Sequence, residues 1–372
     1  MLPYLLLLFV PLLLQVLLQK SGKNIRINKK GTCINCNNIA LPAFFTLYTM
    51  LLVFRHETIG RDLPNYKYLF LLWGNESIKQ IFLSLQECFF RFYCWLIYNF
   101  FTENYQVFLA ITAVVTVIPI AVVYCRDKRY GYLKAALFVN MSTFIMFFSG
   151  IRQGMAIALG VLAYQALRDE KKKLYIAYAI SAALIHHTGF MIFLYYPIVK
   201  EKIKKKDMIW VAPLGLTVCI LKRPLFVMLA SILMRFSDKY DGEVANTGAT
   251  GSFLLFLLFS IFSYIVMDEN KMDEDSFAFR NMLLIATVLQ SFASLNTLAM
   301  RMNYYFIIFI PIAIGKSMEY VDTKYTQVAR LSKIVIEVFF SVIFVYSTYR
   351  SYITGISTLD TIPYIPFWRG SV

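Results

Sequence analysis

Charged residues are scarce in this chain, and acidic residues are scarcer than basic ones. Of its 372 residues, 16% are Asp, Glu, Lys or Arg, with 37 basic residues against 22 acidic ones and three histidines. Meanwhile 59% of the residues are hydrophobic, and the mean hydropathy is +0.59. Because so few charged side chains could not cover the surface of a soluble globule, the composition predicts an all-α integral membrane protein.

Several chemical signatures are also missing. The sequence contains no Gly-rich phosphate loop, no internal repeat and no segment typical of a soluble catalytic domain. The six cysteines are scattered, and the one close pair, Cys33 and Cys36, lies in a lysine-rich loop. No His, Asp and Glu cluster has the sequence spacing of metal ligands, so the expectation is an activity without metal or cofactor.

The basic residues occur in short clusters between apolar runs, which indicates topology signals rather than a nucleic-acid surface. Residues 2–19 read as a retained first span, and the lysines that follow place the amino terminus outside. Continuing the pattern predicts one polytopic domain over 1–372 with about twelve membrane segments, uncertain by two. External segments are expected at about 55–103 and 223–251, with an external tail at 351–372.

Two apolar stretches do not fit ordinary spans. Residues 79–101 are interrupted by Gln86, Glu87 and Arg91, which favours an amphipathic helix lying on the outer surface. Residues 174–199 have lysine clusters on both sides, which favours a short re-entrant hairpin that turns at 186–189. Each arm would reach only about 20 Å into a core of about 30 Å. The rival interpretation of 174–199 is a single ordinary span.

The predicted topology brings several ionisable residues to the outer face, where each needs a pairing or functional reason. Arginine forks suit phosphate or diphosphate, and an aspartate or histidine could take a proton from a sugar hydroxyl. Simpler explanations are that Arg55 reaches toward the interface and that Arg61 pairs with Asp62. The converging set is Arg55, Arg61, Asp62, Arg152, His186, His187 and Arg301.

Several short motifs are spread over nearly the whole chain: Arg55, Ile59-Gly60-Arg61-Asp62 with Asn65-Tyr66, Gly150-Ile151-Arg152-Gln153, Ala183-Leu184-Ile185-His186-His187-Thr188-Gly189-Phe190, Arg301 with Tyr304, Tyr305, Phe306 and Pro311, and Pro363-Tyr364. In this order, they resemble the EpsG family of bacterial exopolysaccharide and capsule proteins.

The resemblance implies a Wzy-like polymerase in the bacterial plasma membrane that joins undecaprenyl-diphosphate-linked oligosaccharide repeat units on the outer face. Its partners would be that lipid-linked substrate, the bilayer, and the chain-length regulator and flippase of the same pathway. The arginines would hold the donor diphosphate, chiefly Arg152 and Arg301, with Arg55, Arg61, Tyr66 and Tyr305 also contacting substrate. Asp62, His186 or His187 would be the base.

The sequence is also compatible with functions from other classes. A flippase or exporter of lipid-linked sugars would also use arginines in a wet cavity, but it should show charges through the depth of the membrane and two related halves. A membrane O-acyltransferase would use a histidine as base and would need an acyl donor. A purely structural membrane subunit is the third alternative.

Overall fold

A computed structural model of the chain describes residues 1–21, 25–26, 33–34, 39–83, 87–127, 129–234 and 249–369. These residues form an all-helical fold apart from one antiparallel pair of two-residue strands, β1 (Ile25–Arg26) and β2 (Cys33–Ile34). Cys36 and the polar half of the predicted external segment, 235–248, lie outside the described residues.

The α-helices of the described residues are, in order, α1 (Leu2–Ser21), α2 (Ala40–Phe54), α3 (Leu63–Gly74), α4 (Ile78–Leu83), α5 (Cys88–Phe100), α6 (Tyr105–Arg126), α7 (Gly131–Val139), α8 (Ser142–Ser149), α9 (Ile151–Arg168), α10 (Lys172–Ile185), α11 (Tyr195–Lys200), α12 (Met208–Ile220), α13 (Lys222–Met234), α14 (Ala249–Val266), α15 (Glu274–Phe292), α16 (Thr297–Ile307), α17 (Ile310–Lys324) and α18 (Thr326–Thr354). Short 3₁₀ helices occupy His187–Leu194, Lys205–Asp207 and Thr358–Asp360.

Within the described residues, two helices are long and apolar enough to cross a bilayer, α6 and α14. Three bent pairs of helices would raise that number to five if each pair were one span: α7 with α8, the segment Lys205–Ile220 with Lys222–Met228, and α16 with α17. The expected number of about twelve spans is not confirmed. Residues 132–149 are an example, because this apolar run is divided between α7 and α8 with a bend of 62°.

The chain divides into two compact units, one formed by Met1–Ile192 with Gln327–Val372 and the other by Phe193–Thr326. In the first unit, α9 packs against α10 and α6, while α3 and α10 both pack against α5. The core of this unit is rich in rings, because Phe44 and Tyr48 of α2 contact Phe138 of α7, and Tyr48 also contacts Phe144 of α8. In the second unit, α15 packs against α14, α16 and α17. The single transmembrane domain expected from the sequence stays a prediction.

The segment predicted as an outer-face amphipathic helix is divided between α4 and α5. Residues 84–86 lie outside the described part of the chain, and α5 begins directly after Glu87. Glu87 has φ +53°, a left-handed backbone conformation that residues with a Cβ rarely adopt. Glu87 therefore lies outside the regular helical backbone of α5, at the residue that precedes it.

The chain reverses within the segment that was predicted as a re-entrant hairpin. Helix α10 ends at Ile185, and the 3₁₀ helix that starts at His187 returns alongside it, because the Tyr175 hydroxyl donates to the Ile192 carbonyl over 3.2 Å. Gly189 makes this close approach possible: a Cβ there would lie 2.4 Å from the Ala182 carbonyl oxygen. The reversal places the two histidines at its tip, and its depth in a membrane stays a prediction.

The carboxyl-terminal tail pairs with the residues that follow α2. The His56 amide donates to the Ile365 carbonyl over 2.8 Å, and the Phe367 amide donates to the Phe54 carbonyl over 2.9 Å. Two further amides, those of Gly60 and Arg61, donate to the carbonyls of Asp360 and Leu359. The tail is therefore part of the first unit rather than a loose extension.

Candidate functional site

The site begins where the amino-terminal turn of α3 meets the junction of α8 and α9. Asp62 and Tyr66 are one helical turn apart, so they face the same direction. The Asp62 carboxylate accepts a hydrogen bond from the Ser149 hydroxyl over 2.8 Å, and the Asp62 amide donates to that same hydroxyl oxygen over 3.1 Å. This paired contact joins residues 87 positions apart and fixes α3 against the start of α9.

Arg152 lies in the first turn of α9, and its side chain is one-fifth exposed. Its Nε donates to the Tyr66 hydroxyl over 3.1 Å, and its guanidinium also lies over the Tyr66 ring at 5.2 Å. Its Nη1 pairs with Oε2 of Glu87. Because the guanidinium has five N–H donors in a fixed fork, these contacts orient it while leaving donor capacity for an anionic ligand.

Glu87 joins Arg152 to the two histidines. While Oε2 accepts from Arg152, Oε1 lies 3.0 Å from Nδ1 of His186 and 3.7 Å from Nδ1 of His187. The carboxylate is largely buried, with 18% of the side chain exposed. One carboxylate is therefore shared by a guanidinium and an imidazole pair, an arrangement able to bind an anion on one side and to accept or hold a proton on the other.

The two histidines differ in accessibility. The side chain of His186 is 8% exposed and that of His187 is 44% exposed, while their ring centroids are 4.3 Å apart. His187 therefore forms the accessible edge of the cluster, and His186 lies behind it against Glu87.

Arg55 lies behind this site. It is 2% exposed, and its Nη1 donates to the carbonyls of Phe147 and Phe148 at the end of α8, over 3.1 and 2.9 Å. A cation at a helix carboxyl terminus satisfies carbonyls that have no intrahelical partner. The structure thus shows Arg55 supporting the turn that leads into Ser149 and Arg152, and its predicted substrate contact stays a prediction.

Arg61 is on the exposed side of the same region and pairs with the tail. Its Nε lies 3.1 Å from Oδ2 of Asp360, and the side chains are 61% and 57% exposed. The hydrogen bond and charge of Asp360 raise the pKa of Arg61 above its usual value. The sequence-based alternative, a pairing of Arg61 with its neighbour Asp62, missed this partner because Asp360 is 299 residues away.

Arg301 and Tyr305 belong to the second unit. The sequence placed Arg301 in a short outer connection between two spans, but the structure places it inside α16. The side chain of Tyr305 is fully buried in that unit, where its carbonyl accepts from the Tyr195 hydroxyl over 2.5 Å. Their predicted substrate contacts stay predictions.

Glu87 and Ser149 are the members of the site that sequence reasoning did not assign. The sequence did mark Glu87 as unusual, because it is one of the polar residues that interrupt the apolar stretch at 79–101. Its partners could not be read from spacing, since Arg152 is 65 residues away and His186 is 99 residues away. Likewise, the absence of metal-ligand spacing in the sequence did not exclude a cluster: the donor atoms of Glu87, His186 and His187 lie within 4.8 Å of one another.

Apolar helices with an arginine, a carboxylate and two imidazoles gathered in one compact unit are the features of a helical membrane protein with a polar site. The chain belongs to the EpsG family, whose family model matches residues 38–365. No curated protein and no solved structure matches the chain. The family places the protein in polysaccharide biosynthesis at a membrane, and the matched region includes every residue of the site described here.

Proposed function

We propose that this protein polymerises oligosaccharide repeat units that are carried on a lipid diphosphate, undecaprenyl diphosphate in bacteria, at the outer face of the plasma membrane. The observation that carries the proposal is Arg152, whose guanidinium is oriented by Tyr66 and Glu87 beside an imidazole pair. An oriented arginine in a partly dehydrated position is a strong ligand for diphosphate oxygens. Membership of the EpsG family supports the same assignment.

The proposed reaction is a glycosyl transfer. A hydroxyl oxygen of the acceptor sugar attacks the anomeric carbon of the donor chain, and the bond from that carbon to the diphosphate oxygen breaks. The lipid diphosphate leaves with the bonding electron pair, and Arg152 stabilises the charge that develops on it. The acceptor's proton passes to the Asp62 carboxylate or to an imidazole of His186 or His187.

The test is complementation of a host in which this gene is deleted, followed by gel separation of lipid-linked and surface polysaccharide. We expect single repeat units on lipid and no long polymer after deletion, and no rescue by Arg152→Ala. Asp62→Asn should lower polymer length if Asp62 takes the proton. Arg168→Ala, the same substitution at the other end of α9, is the matched control and should restore polymer.

Other outcomes would identify a different function. If Arg152→Ala, correctly inserted, left polymer length unchanged, the proposal would be wrong. Normal polymer that lacks only a substituent would indicate the O-acyltransferase alternative. Repeat units confined to the cytoplasmic side would indicate the flippase alternative.

A further inference from the structure

Glu87, His186 and His187 form a group of donor atoms that belongs to no single helix. Glu87 precedes α5, whereas the histidines lie where α10 ends and the returning 3₁₀ helix begins. The carboxylate Oε1 is 3.0 Å from Nδ1 of His186 and 3.7 Å from Nδ1 of His187, and all three donor atoms fall within 4.8 Å of one another.

The two separations from Glu87 Oε1 are close to the edges of a metal coordination polyhedron. Zinc binds imidazole nitrogen at about 2.0–2.1 Å and carboxylate oxygen at about 2.0–2.2 Å, so two ligands of a tetrahedral ion lie about 3.3–3.4 Å apart. The distances from Glu87 Oε1 to Nδ1 of His186 and of His187, 3.0 and 3.7 Å, lie on either side of this value. A cation could therefore be accommodated by shifts of a few tenths of an ångström along these two edges.

The donor set also has a recognisable chemical preference. Two neutral imidazoles and one carboxylate suit zinc and similar divalent transition metals, and three protein ligands leave a coordination position open for a non-protein ligand. The 44% exposure of the His187 side chain makes that position accessible. By contrast, two protonated imidazoles with centroids 4.3 Å apart would repel each other around a single carboxylate oxygen.

The residues around Glu87 hold its carboxylate in an orientation suited to binding a metal ion. Arg152 takes Oε2, and Tyr66 in turn accepts from Arg152, so Oε1 is directed to the histidines. Residues that orient a metal-binding carboxylate in this way tune both its geometry and its affinity. The arginine partly neutralises the carboxylate, so binding should be weaker than at a carboxylate without such a neighbour, and a bound divalent ion would leave the cluster with a net positive charge.

We propose that Glu87, His186 and His187 bind one divalent transition-metal ion of the zinc class, whose open position takes an oxygen of a diphosphate held by Arg152. The binding of the ion stands on the geometry alone, whereas the diphosphate contact rests on the proposed function. When the ion takes Nδ1 of each neutral imidazole, the other ring nitrogen carries the proton, so Asp62 becomes the group that accepts the acceptor hydroxyl's proton.

The experiment uses the full chain, purified in detergent and stripped with a chelator. Titration with Co²⁺, followed by its visible absorption, reports occupancy and coordination geometry, and competition with Zn²⁺ gives relative affinity. We expect one equivalent of Co²⁺ per chain with the intense visible bands of a tetrahedral site. His187→Gln and Glu87→Gln should each weaken binding roughly tenfold or more, since even outer residues of metal sites have effects of that order.

The matched control is His56→Gln. His56 is the one histidine of the chain outside the proposed metal site, and its Nδ1 lies 2.9 Å from the Thr58 hydroxyl. This variant should bind Co²⁺ like the wild type. Absence of Co²⁺ binding to the wild-type chain would overturn the proposal without any variant. Equal binding by wild type, His187→Gln and Glu87→Gln would overturn it as well, because the ion would then lie elsewhere.

The failure of this inference can be separated from the failure of the proposed function. If no ion binds and Arg152→Ala still abolishes polymer, the metal site is wrong and the polymerase assignment stands. If the ion binds as expected but Arg152→Ala leaves polymer length unchanged, the metal site stands and the polymerase assignment is wrong.

Discussion

The contacts of Arg152 show how a single side chain can be held ready for an anion. Tyr66 contributes both its hydroxyl and its ring face to the guanidinium, and Glu87 contributes charge. A lysine ammonium at this position would be a compact point charge without the planar fork that makes these contacts together. The contacts of Tyr66 and Glu87 therefore both orient the guanidinium of Arg152.

The contribution of the Tyr66 hydroxyl to the site can be tested without removing the tyrosine ring. Tyr66→Phe removes the acceptor for Arg152 Nε and keeps the ring under the guanidinium. A hydrogen bond to a charged group that is partly exposed contributes about 1 kcal/mol, so we expect polymer formation to slow about fivefold. The measurement is the rate of polymer formation in membranes at equal protein levels.

The control for this change is Tyr68→Phe on the same helix, where the side chain is 63% exposed. It should leave the rate unchanged. An equal slowing by both substitutions would show that the effect comes from α3 in general and not from the contact with Arg152.

At the scale of elements, the reversal after α10 decides where the histidines lie. The returning 3₁₀ helix approaches α10 so closely that a Cβ at Gly189 would stand 2.4 and 2.5 Å from the Ala182 carbonyl oxygen and carbon. Both are backbone atoms, so a side-chain rotation cannot relieve the overlap. A larger residue at Gly189 must push the 3₁₀ helix away from α10, and this would displace His186 and His187 from Glu87.

Gly189→Ala is therefore expected to destabilise the protein by about 1–3 kcal/mol, the usual cost of forcing an extra methyl into a packed position. The measurement is thermal unfolding of the purified protein, together with polymer formation. Gly251→Ala is the matched control, because a Cβ at Gly251, inside α14, would meet no atom of the described residues within 4 Å, and alanine favours the helix. Equal unfolding temperatures for the two variants would contradict the close packing.

The tail is the second element on which the site depends. Besides its backbone pairing with residues 54–61, it supplies Asp360 to Arg61, and Tyr364 donates to the Leu51 carbonyl over 3.0 Å. The Tyr4 hydroxyl of α1 also donates to the Thr361 carbonyl. These contacts hold the segment that leads from α2 to Asp62, so the tail supports the site from behind.

A chain that ends at Ile356 should therefore lose stability and polymer formation together. The four backbone hydrogen bonds between the tail and residues 54–61 contribute about 1 kcal/mol each, so the loss should be about 4 kcal/mol or more. Folding is measured by the yield of monodisperse protein and by thermal unfolding. A chain that lacks only residues 370–372 is the control, and wild-type stability of the longer truncation would exclude the supporting role.

At the scale of the whole molecule, the proposed function requires that the site be accessible from outside the cell, although α9 is not among the helices that are long and apolar enough to cross a bilayer. Arg152 at the start of α9 must be accessible from outside, whereas the sequence predicts that the basic residues after the end of α9 are cytoplasmic. The composition and the family point to a membrane protein, and the number and direction of its spans are open to direct measurement.

The direction of the spans can be measured by labelling single cysteines with a membrane-impermeant thiol reagent in intact cells. In a background whose six cysteines are replaced by alanine, Ile356→Cys should be labelled directly, because its side chain is 79% exposed in the tail that the sequence predicts to be external. Lys171→Cys, in the exposed turn between α9 and α10, should be labelled only after the membrane is permeabilised. Labelling of Lys171→Cys in intact cells would invert the predicted topology and move the site to the cytoplasm.

The sequence by itself determined the class of protein and most of the polar residues of the site. Composition excluded a soluble globule, and the motifs around Asp62, Arg152 and His186 were enough to predict the EpsG family, which the family match confirms. These properties are local: a hydrophobic run or a motif is complete within a few consecutive residues. Sequence could not count the spans, because continuous apolar runs such as 132–149 are divided by bends that depend on helix packing.

Only the tertiary structure decided which polar residues meet. Glu87 reaches Arg152 and the histidines across 65 and 99 residues, and Arg61 reaches Asp360 across 299. Such contacts depend on how α3, α5, α9 and α10 pack, on the left-handed turn at Glu87 and on the close approach at Gly189. Local periodicity contains none of this information, because it defines which face of a helix is apolar and not which helix will cover it.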